Sequence, residues 1–314
     1  MRAGNGTEEI TRLPPLRHAI LGAGGVGGLI GASLARLGDS VTVVVRRESL
    51  ASYPDQLKLE SPFGNFQVPV ERSEEVPPAD VVWLAVKATQ LEEALALFTN
   101  PHSVTAIVPL LNGIDHLALL RKRYGGECVI AATIAVESER VAPGHILHRS
   151  SFARLNLSSA GKSLLASTLE QFQKIGFECR FIDDEPTLMW SKAVFLAPMA
   201  LATTAFDQPI GGVMGNAEWK GRWEACVHEA CAVATVEGAK VDPNAVFSGM
   251  SRMPHGMRSS MQKDVEQGNT PELDAIAGPI LRGGVSHGFD VKTTKSLVDM
   301  VESRCVNTRP RRTS

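Results

Sequence analysis

The chain has 314 residues, a formal net charge of −2, and a composition that is 44% hydrophobic and 21% charged. Such a chain is long enough for about two domains of roughly 100–200 residues and apolar enough to bury a core. Its near-neutral charge supplies no basic field for nucleic acid or an anionic membrane, and basic and aromatic residues do not interleave. We therefore expect no nucleic acid and no membrane among its partners.

Five cysteines are scattered along the chain without a Cys-x-x-Cys pair. An odd number with this spacing indicates a reducing compartment rather than a disulfide framework. The first 16 residues contain no apolar segment of a secretory signal, and no run approaches the ~18 apolar residues of a membrane helix. The sequence therefore predicts a cytoplasmic protein, and the polar residues 1–15 are expected to form a disordered leader.

From residue 16 to residue 183, short β-rich runs alternate with helical patterns. This alternation predicts right-handed βαβ units in a doubly wound, Rossmann-type α/β domain. The predicted helices span residues 25–37 and 162–175, and the predicted strands span 17–21, 41–46, 81–85, 104–109, 128–133 and 178–182. Two further runs, 145–149 and 154–158, are expected to pair with each other as a hairpin.

After residue 183 the pattern changes to long alanine-rich and amphipathic stretches, which predicts an all-α domain over residues 184–304. Its helices are expected at 186–206, 217–239, 243–267, 271–287 and 292–304. Pro198 is expected to end or kink the first of them. Trp219 and Trp223 share one helical stripe, which fits either the core, the favoured interpretation, or the face of a homodimer. Residues 305–314 predict a flexible, solvated tail, with a binding arm as the alternative.

The stretch "LGAGGVGG", residues 21–28, follows the first predicted strand and opens the first predicted helix. This is the context that a dinucleotide-binding Gly-x-Gly-x-x-Gly motif requires. Gly22 permits the tight turn, Gly24 lets the backbone approach the pyrophosphate, and Gly27 lets the helix pack close to the strand. A structural glycine turn is the alternative. We predict that a cofactor contacts the whole loop: Gly22, Ala23, Gly24, Gly25, Val26 and Gly27.

The second predicted strand ends in Arg46-Arg47. An NAD site usually offers a carboxylate about 20 residues past the glycines, where it holds the ribose 2′-hydroxyl. A carboxylate would repel the 2′-phosphate of NADP, whereas a guanidinium binds it bidentately. The pair therefore predicts NADP(H) as the cofactor, with Arg46 at the 2′-phosphate. An ordinary surface arginine pair is the alternative.

Other polar residues fall where a ligand crevice is expected. Lys87 and the Asn112-Gly113 pair each follow a predicted strand, and the carboxyl ends of strands in an open α/β sheet face the crevice. A solvated lysine and a turn-forming Asn-Gly are the alternatives. Lys192 is the one charge in the apolar stretch 189–206, and a lysine is almost never buried without a partner or a task. It would either snorkel at a domain edge or donate a proton in the cleft between the domains.

Together these motifs resemble those of the ketopantoate reductase (2-dehydropantoate 2-reductase) family, over roughly residues 17–303. The family joins an N-terminal Rossmann domain to a C-terminal helical domain. The resemblance implies that the glycine loop and Arg46 bind NADPH, and that Lys87 and Asn112 lie near the nicotinamide end. It also implies that Lys192, preceded by Trp190-Ser191, is the catalytic lysine.

The most specific match to the family is a late motif with the pattern Ser-Ser-Met-x-x-Asp-x₃-Gly…Glu-x-Asp, which keeps its spacing from Ser259 to Asp274. From the residues alone, a solvated helix end followed by a loop would explain this segment equally well. The resemblance implies that Ser260 binds the substrate together with Asn112 and Lys192, and that Glu272 orients Lys192 or the cofactor. The implied reaction is the NADPH-dependent reduction of a 2-oxo acid, 2-dehydropantoate to (R)-pantoate, in pantothenate biosynthesis. No metal is expected, because His145 and His148 point to opposite faces of a strand.

The chain departs from the family at two positions on the helix of Lys192. The family carries asparagines at the fourth and eighth positions after the lysine, where this chain has Leu196 and Ala200. Each lost amide removes hydrogen bonds to a polar substrate that are typically worth ~0.5–1.5 kcal/mol. Two alternatives therefore stay open: a reductase of a more apolar ketone or 2-oxo acid, and a non-catalytic NADPH-binding protein.

Overall fold

The computed structural model describes residues 15–308; residues 1–14 of the predicted leader and 309–314 of the predicted tail lie outside this range. The strands are β1 (Arg17–Leu21), β2 (Ser40–Val44), β3 (Gln56–Glu60), β4 (Phe66–Pro69), β5 (Glu71–Ser73), β6 (Ala79–Leu84), β7 (Val104–Pro109), β8 (Ala132–Ala135), β9 (Ser138–Ala142), β10 (His145–His148), β11 (Arg154–Ser158) and β12 (Glu178–Ile182). The helices are α1 (Gly25–Arg36), α2 (Arg47–Leu50), α3 (Leu91–Leu95), α4 (His116–Tyr124), α5 (Lys162–Lys174), α6 (Glu185–Phe206), α7 (Ile210–Gly215), α8 (Ala217–Val236), α9 (Pro243–Ser251), α10 (Ser260–Glu266), α11 (Leu273–His287) and α12 (Lys292–Thr308).

Five strands form a parallel sheet in the order β5-β2-β1-β6-β7, and this sheet confirms the predicted Rossmann-type architecture. β-branched runs in β2 and β6 are buried almost throughout, as is usual for a parallel sheet covered on both faces. Because the strands run parallel, their carboxyl ends share one edge of the sheet. The loops after β1, β2, β6 and β7 meet there, and they carry the glycine loop, Arg46, Lys87 and Asn112.

Two smaller sheets pack beside the parallel sheet, and they show that the predicted hairpin is wrong. β10 pairs with β3 in parallel and with β9 antiparallel, whereas β11 pairs with β12 in parallel and with β8 antiparallel. Sequence pattern identifies a strand but not its partner, so two neighbouring runs looked like a pair. β3, β4, β5 and β9 escaped prediction because they are short and rich in polar residues; β9 is exposed along most of its length.

The predicted domain boundary near residue 183 falls between β12 and α6, and α6 forms the centre of the helical half. α6 continues through Pro198, so this proline does not end the helix, and the expected kink stays a prediction. The predicted helix over 243–267 is two helices, α9 and α10, because the segment 252–259 interrupts it and Ser259 caps the second helix. α12 runs to Thr308, four residues into the predicted tail.

Two features of the helical half bear on predictions about membranes and partners. Although polar residues interrupt its apolar run, α6 is by length and composition apolar enough to cross a membrane, which was not expected from the sequence. However, 67% of its most apolar window is buried inside the protein, as in the core helix of a globular domain. Trp223 is fully buried in the core formed by α6 and α8. Trp219 is partly buried and stacks on Phe206 of α6, with 4.5 Å between ring centroids.

A buried polar contact joins the two central strands of the parallel sheet. The indole Nε1 of Trp83 on β6 donates a hydrogen bond of 3.1 Å to His18 Nδ1 on β1. The other ring nitrogen, Nε2, lies 3.3 Å from a carboxylate oxygen of Asp39, just before β2. Trp83 is fully buried and His18 is 2% exposed, so neither has water as an alternative partner.

We expect Trp83→Phe to lower the free energy of unfolding by about 2–4 kcal/mol, because it leaves a cavity and strips His18 Nδ1 of its donor. Urea denaturation followed by circular dichroism measures the loss. Trp219→Phe, at a partly exposed ring, is the control and is expected to cost less than half as much. Equal losses in the two variants would contradict a structural role for the Trp83–His18 contact.

Candidate active site

The glycine loop between β1 and α1 is shaped by close backbone contacts. Gly22 has φ +100, and a Cβ there would lie 2.7 Å from the carbonyl carbon of Ala85. A Cβ on Gly27 would lie 2.2 Å from Gly22 O, so only glycine lets α1 begin this close to the strand. Gly24 is different, because a Cβ added there would have no neighbouring atom within 4 Å. The space beside Gly24 is open to a ligand.

The amino end of α1 has the chemistry of a phosphate site. Gly24 is its N-cap, no side chain caps it, and its first turn contains no acidic residue. The unpaired N–H groups and the helix dipole therefore favour an anion at this point. Ala23 is buried and Val26 partly buried beside the loop, while Gly25 accepts a hydrogen bond of 2.9 Å from Ser138 Oγ through its carbonyl oxygen. These residues fit the pyrophosphate of a dinucleotide.

Arg46 follows β2 and is the N-cap residue of the short helix α2, with its backbone in an extended conformation. Its side chain is 66% exposed, and its Nε lies 3.4 Å from Glu48 Oε1. Arg47 makes a similar exposed contact with Glu74, 3.3 Å from Nε to Oε2. Both guanidinium groups therefore stand at the carboxyl edge of the sheet, where the adenosine end of a dinucleotide bound to α1 is expected.

Glu272 joins the two halves of the chain at the cleft. One of its carboxylate oxygens accepts a 2.6 Å hydrogen bond from Ala88 N, and the other accepts a 3.0 Å bond from Asn112 Nδ2. Nearby, Lys87 Nζ lies 2.9 Å and 3.0 Å from the two carboxylate oxygens of Asp264 on α10. The structure thus brings Lys87, Asn112 and Glu272 together, each anchored to a residue from the opposite half.

Lys192 lies in a narrow pocket between the two halves. The pocket is lined by Gly113, Thr133, Met189, Lys192, Ala193, Leu196, Ala197 and Ile276. Lys192 and Thr133 are the only charged and hydroxyl side chains among these lining residues. Burial lowers the pKa of Lys192 to about 8, and the negative charge of Glu272 opposes that shift. Lys192 is therefore a cation at neutral pH and a stronger acid than a free lysine.

Asn112, predicted to bind the substrate, is absent from the lining residues of this pocket. Ser260, predicted to bind the substrate with it, is not brought to the pocket either. It is exposed at the first turn of α10, and it is absent from the lining residues around Lys192. Its neighbour Ser259 is buried instead: its Oγ caps α10 at Gln262 N and lies 3.0 Å from Thr203 Oγ1 of α6. The buried serine therefore holds α10 against the helix that carries Lys192.

His116 is a residue of the cleft that the sequence did not reveal. It begins α4, three residues after Gly113 of the pocket, and is 6% exposed. Its Nε2 has no hydrogen-bond partner among the residues that the structure describes. Burial and then the positive charge of Lys192 lower the pKa of His116 to about 4, so its ring is neutral beside the lysine. No periodicity or spacing distinguishes a single histidine of this kind.

A glycine loop at the head of the first Rossmann helix, facing a partly buried lysine from the helical half of the chain, is the arrangement of a nicotinamide-dependent oxidoreductase. Comparison with known families gives the same result. The model of the family "Ketopantoate reductase PanE/ApbA" matches residues 18–161, and that of its C-terminal part matches residues 186–304. The chain belongs to this family, and it is an NADP-dependent oxidoreductase acting on CH–OH groups.

Individual relatives match along nearly their full length. The oxidoreductase YkpB of Bacillus subtilis, whose substrate its name does not state, is 29% identical over 90% of this chain and 93% of its own. A 2-dehydropantoate 2-reductase of Caulobacter vibrioides is 27% identical over 91% of this chain and 98% of its own. The crystal structure of 2-dehydropantoate 2-reductase from Geobacter metallireducens, 26% identical, superposes with a TM-score of 0.80 over 92% of this chain and 99% of its own.

We expect His116 to make the protein sensitive to acid. Because its pKa is about 4 in the folded chain and about 6.5 when unfolded, the unfolded state binds more protons between these values. The stability that the neutral, buried imidazole of His116 contributes is present above pH 6.5 and is lost as the pH falls toward 4. It amounts to roughly 2–3 kcal/mol between pH 7 and pH 4.5.

Urea denaturation of His116→Leu at pH 7 and pH 4.5 tests this expectation. Between pH 7 and pH 4.5, the free energy of unfolding of the variant should fall by roughly 2–3 kcal/mol less than that of the wild type. His102→Leu, at an exposed histidine, provides the control and should keep the wild-type pH dependence. An unchanged pH dependence in His116→Leu would show that the buried imidazole is not the acid-sensitive group.

Proposed function

We propose that this enzyme uses NADPH to reduce the keto group of a 2-oxo acid, with 2-dehydropantoate as the substrate and (R)-pantoate as the product. The observation that carries the proposal is the placement of Lys192. Its ammonium group lies in a small pocket beside the carboxyl edge of the parallel sheet, where the glycine loop fits a dinucleotide. Family membership supports the substrate class.

When bound, NADPH supplies the hydride that reduces the ketone carbon. Lys192 protonates the oxygen that becomes the alcohol, and its positive charge stabilises the negative charge that develops there. Its lowered pKa suits this role, because the proton leaves more readily than from an exposed lysine. Thr133, which lines the same pocket, is positioned to hydrogen bond to a polar group of the substrate.

The remaining cleft residues position these groups. Glu272 holds the amide of Asn112 and the backbone of Ala88, and its charge keeps Lys192 more basic than burial alone would. We assign Asn112 and Lys87 to the nicotinamide and its ribose, and Arg46 to the 2′-phosphate. For Lys87 to reach a ligand, its ion pair with Asp264 has to break or both side chains have to move together. Ser260 reaches the substrate only if α10 moves toward the pocket, as closure of the two halves would allow.

A more apolar 2-oxo acid is a second candidate substrate, and the lining of the pocket favours it. Leu196, Met189 and Ile276 present hydrocarbon to the space beside Lys192, and Ala200 of the same helix is fully buried. The hydroxylated tail of 2-dehydropantoate finds no side-chain amide among the lining residues. An alkyl or aromatic tail would instead displace water from an apolar wall.

We also propose a cytoplasmic location for the enzyme. Three cysteines are buried free thiols: Cys179, Cys226 and Cys231. Burial raises the pKa of each of these three thiols, which keeps them in the neutral form. Buried, neutral thiols of this kind support a reducing environment.

We expect Lys192→Ala to lower kcat by at least about 10²-fold, because it removes both the proton donor and the positive charge. The exposed Lys174→Ala serves as the control and should retain wild-type rates. In the wild type, kcat/KM should fall as the pH rises above about 8. Glu272→Gln should shift this fall to lower pH, because the wild-type carboxylate raises the lysine pKa and the amide does not. Steady-state NADPH oxidation measures the rates of both alanine variants and the pH dependence of kcat/KM in the wild type and in Glu272→Gln. Near-normal turnover by Lys192→Ala would refute the mechanism.

A panel of 2-oxo acids separates the two substrates. If the apolar wall of the pocket determines the substrate, 2-oxo acids with branched alkyl or phenyl tails should show a kcat/KM roughly 10-fold or more above that of 2-dehydropantoate. Leu196→Asn should then narrow that difference by restoring one amide in the pocket. A clear preference of the wild type for 2-dehydropantoate would instead establish the first substrate and eliminate the second.

A further inference from the structure

The carboxyl end of β2 presents carboxylates as well as arginines. Glu48 lies 3.4 Å from Arg46, and Glu74, which directly follows β5, lies 3.3 Å from Arg47. Because β5 pairs with β2 at the edge of the sheet, all four side chains occupy one small region. Their formal charges cancel. A 2′-phosphate that arrives here meets no net positive charge from these four groups.

Glu48 also stands where an NAD site usually has its acidic residue. It follows Gly27 by 21 residues, and a carboxylate about 20 residues beyond the glycines ordinarily accepts hydrogen bonds from the ribose hydroxyls of NAD. It lies in the first turn of α2, whose N-cap is Arg46. One short segment therefore carries the group that favours a 2′-phosphate and the group that favours a 2′-hydroxyl.

We propose that Glu48 is a specificity-determining residue that lowers the preference of the site for NADPH over NADH. Its carboxylate competes with the 2′-phosphate for the Arg46 guanidinium and repels the phosphate. With NADH, the same carboxylate accepts a hydrogen bond from the ribose 2′-hydroxyl. This inference rests on the proposed placement of the 2′-phosphate at Arg46, and it adds an opposing residue to that site.

The size of the effect follows from exposure. Arg46 and Glu48 are 66% and 69% exposed, so water and salt screen their interaction. A 2′-phosphate carries between one and two negative charges, and each interacts with a carboxylate a few ångströms away only moderately in this medium. We therefore expect removal of the Glu48 charge to tighten the binding of a 2′-phosphorylated ligand by roughly 3- to 10-fold at low ionic strength.

Glu48→Gln tests the inference by binding, without turnover. The probes are adenosine 2′,5′-bisphosphate and adenosine 5′-monophosphate, which differ only in the 2′-phosphate, and isothermal titration calorimetry gives both Kd values. We expect Glu48→Gln to bind the bisphosphate roughly 3- to 10-fold more tightly than the wild type does, and to bind the monophosphate equally well or more weakly. The gain should shrink in about 0.5 M salt, because the lost repulsion is screened there.

Two further variants make the outcomes distinct. Glu178→Gln removes the same charge from an exposed ion pair with Arg154 on a different sheet, and it should leave both Kd values unchanged. Arg46→Ala should weaken the bisphosphate selectively. If it does so while Glu48→Gln leaves the ratio of the two Kd values unchanged, only the role of Glu48 is overturned. If Arg46→Ala has no effect either, the proposed 2′-phosphate site fails as well.

Discussion

The structure depends on how closely α1 approaches the layers on its two sides. A Cβ on Gly27 would meet Gly22 O at 2.2 Å, one on Gly28 would meet the Ile146 side chain at 2.4 Å, and one on Gly31 would meet Ile20 at 3.0 Å. The helix is thus held between the parallel sheet and β10 of the second sheet. This contact fixes the direction of its amino end toward the edge of the sheet, and the proposed ligand contacts are arranged around that end.

Features that depend on local sequence could be predicted, and features that depend on remote partners could not. The glycine loop, the buried strands of the central sheet and the apolar helix of Lys192 each carry their own periodicity or motif. By contrast, β10 and β11 find their partners elsewhere in the sheets, and nothing in either run specifies which. Short polar strands such as β9 lack an apolar face for a pattern to detect.

The same distinction holds within the candidate site. The residue types at Lys192, Asn112 and Glu272 could be singled out in advance through a family motif, but the bond between Asn112 and Glu272 spans 160 positions and required coordinates. His116 had no motif, because a lone histidine is informative only once its neighbours are known. Ser260 was singled out as part of a motif, yet the structure gives the buried contacts to Ser259.

The helix α6 serves two purposes at once, and this has an evolutionary consequence. Its residues form the centre of the helical core, while Lys192, Leu196 and Met189 of the same helix form a wall of the pocket. Under the proposed function, a mutation in this wall that changes which ketone is accepted also alters packing. Ala200 is fully buried, so a larger polar residue there would strain the core. Leu196 is only partly buried, which leaves it as the position on this helix where new substrate preferences can arise with the least damage to folding.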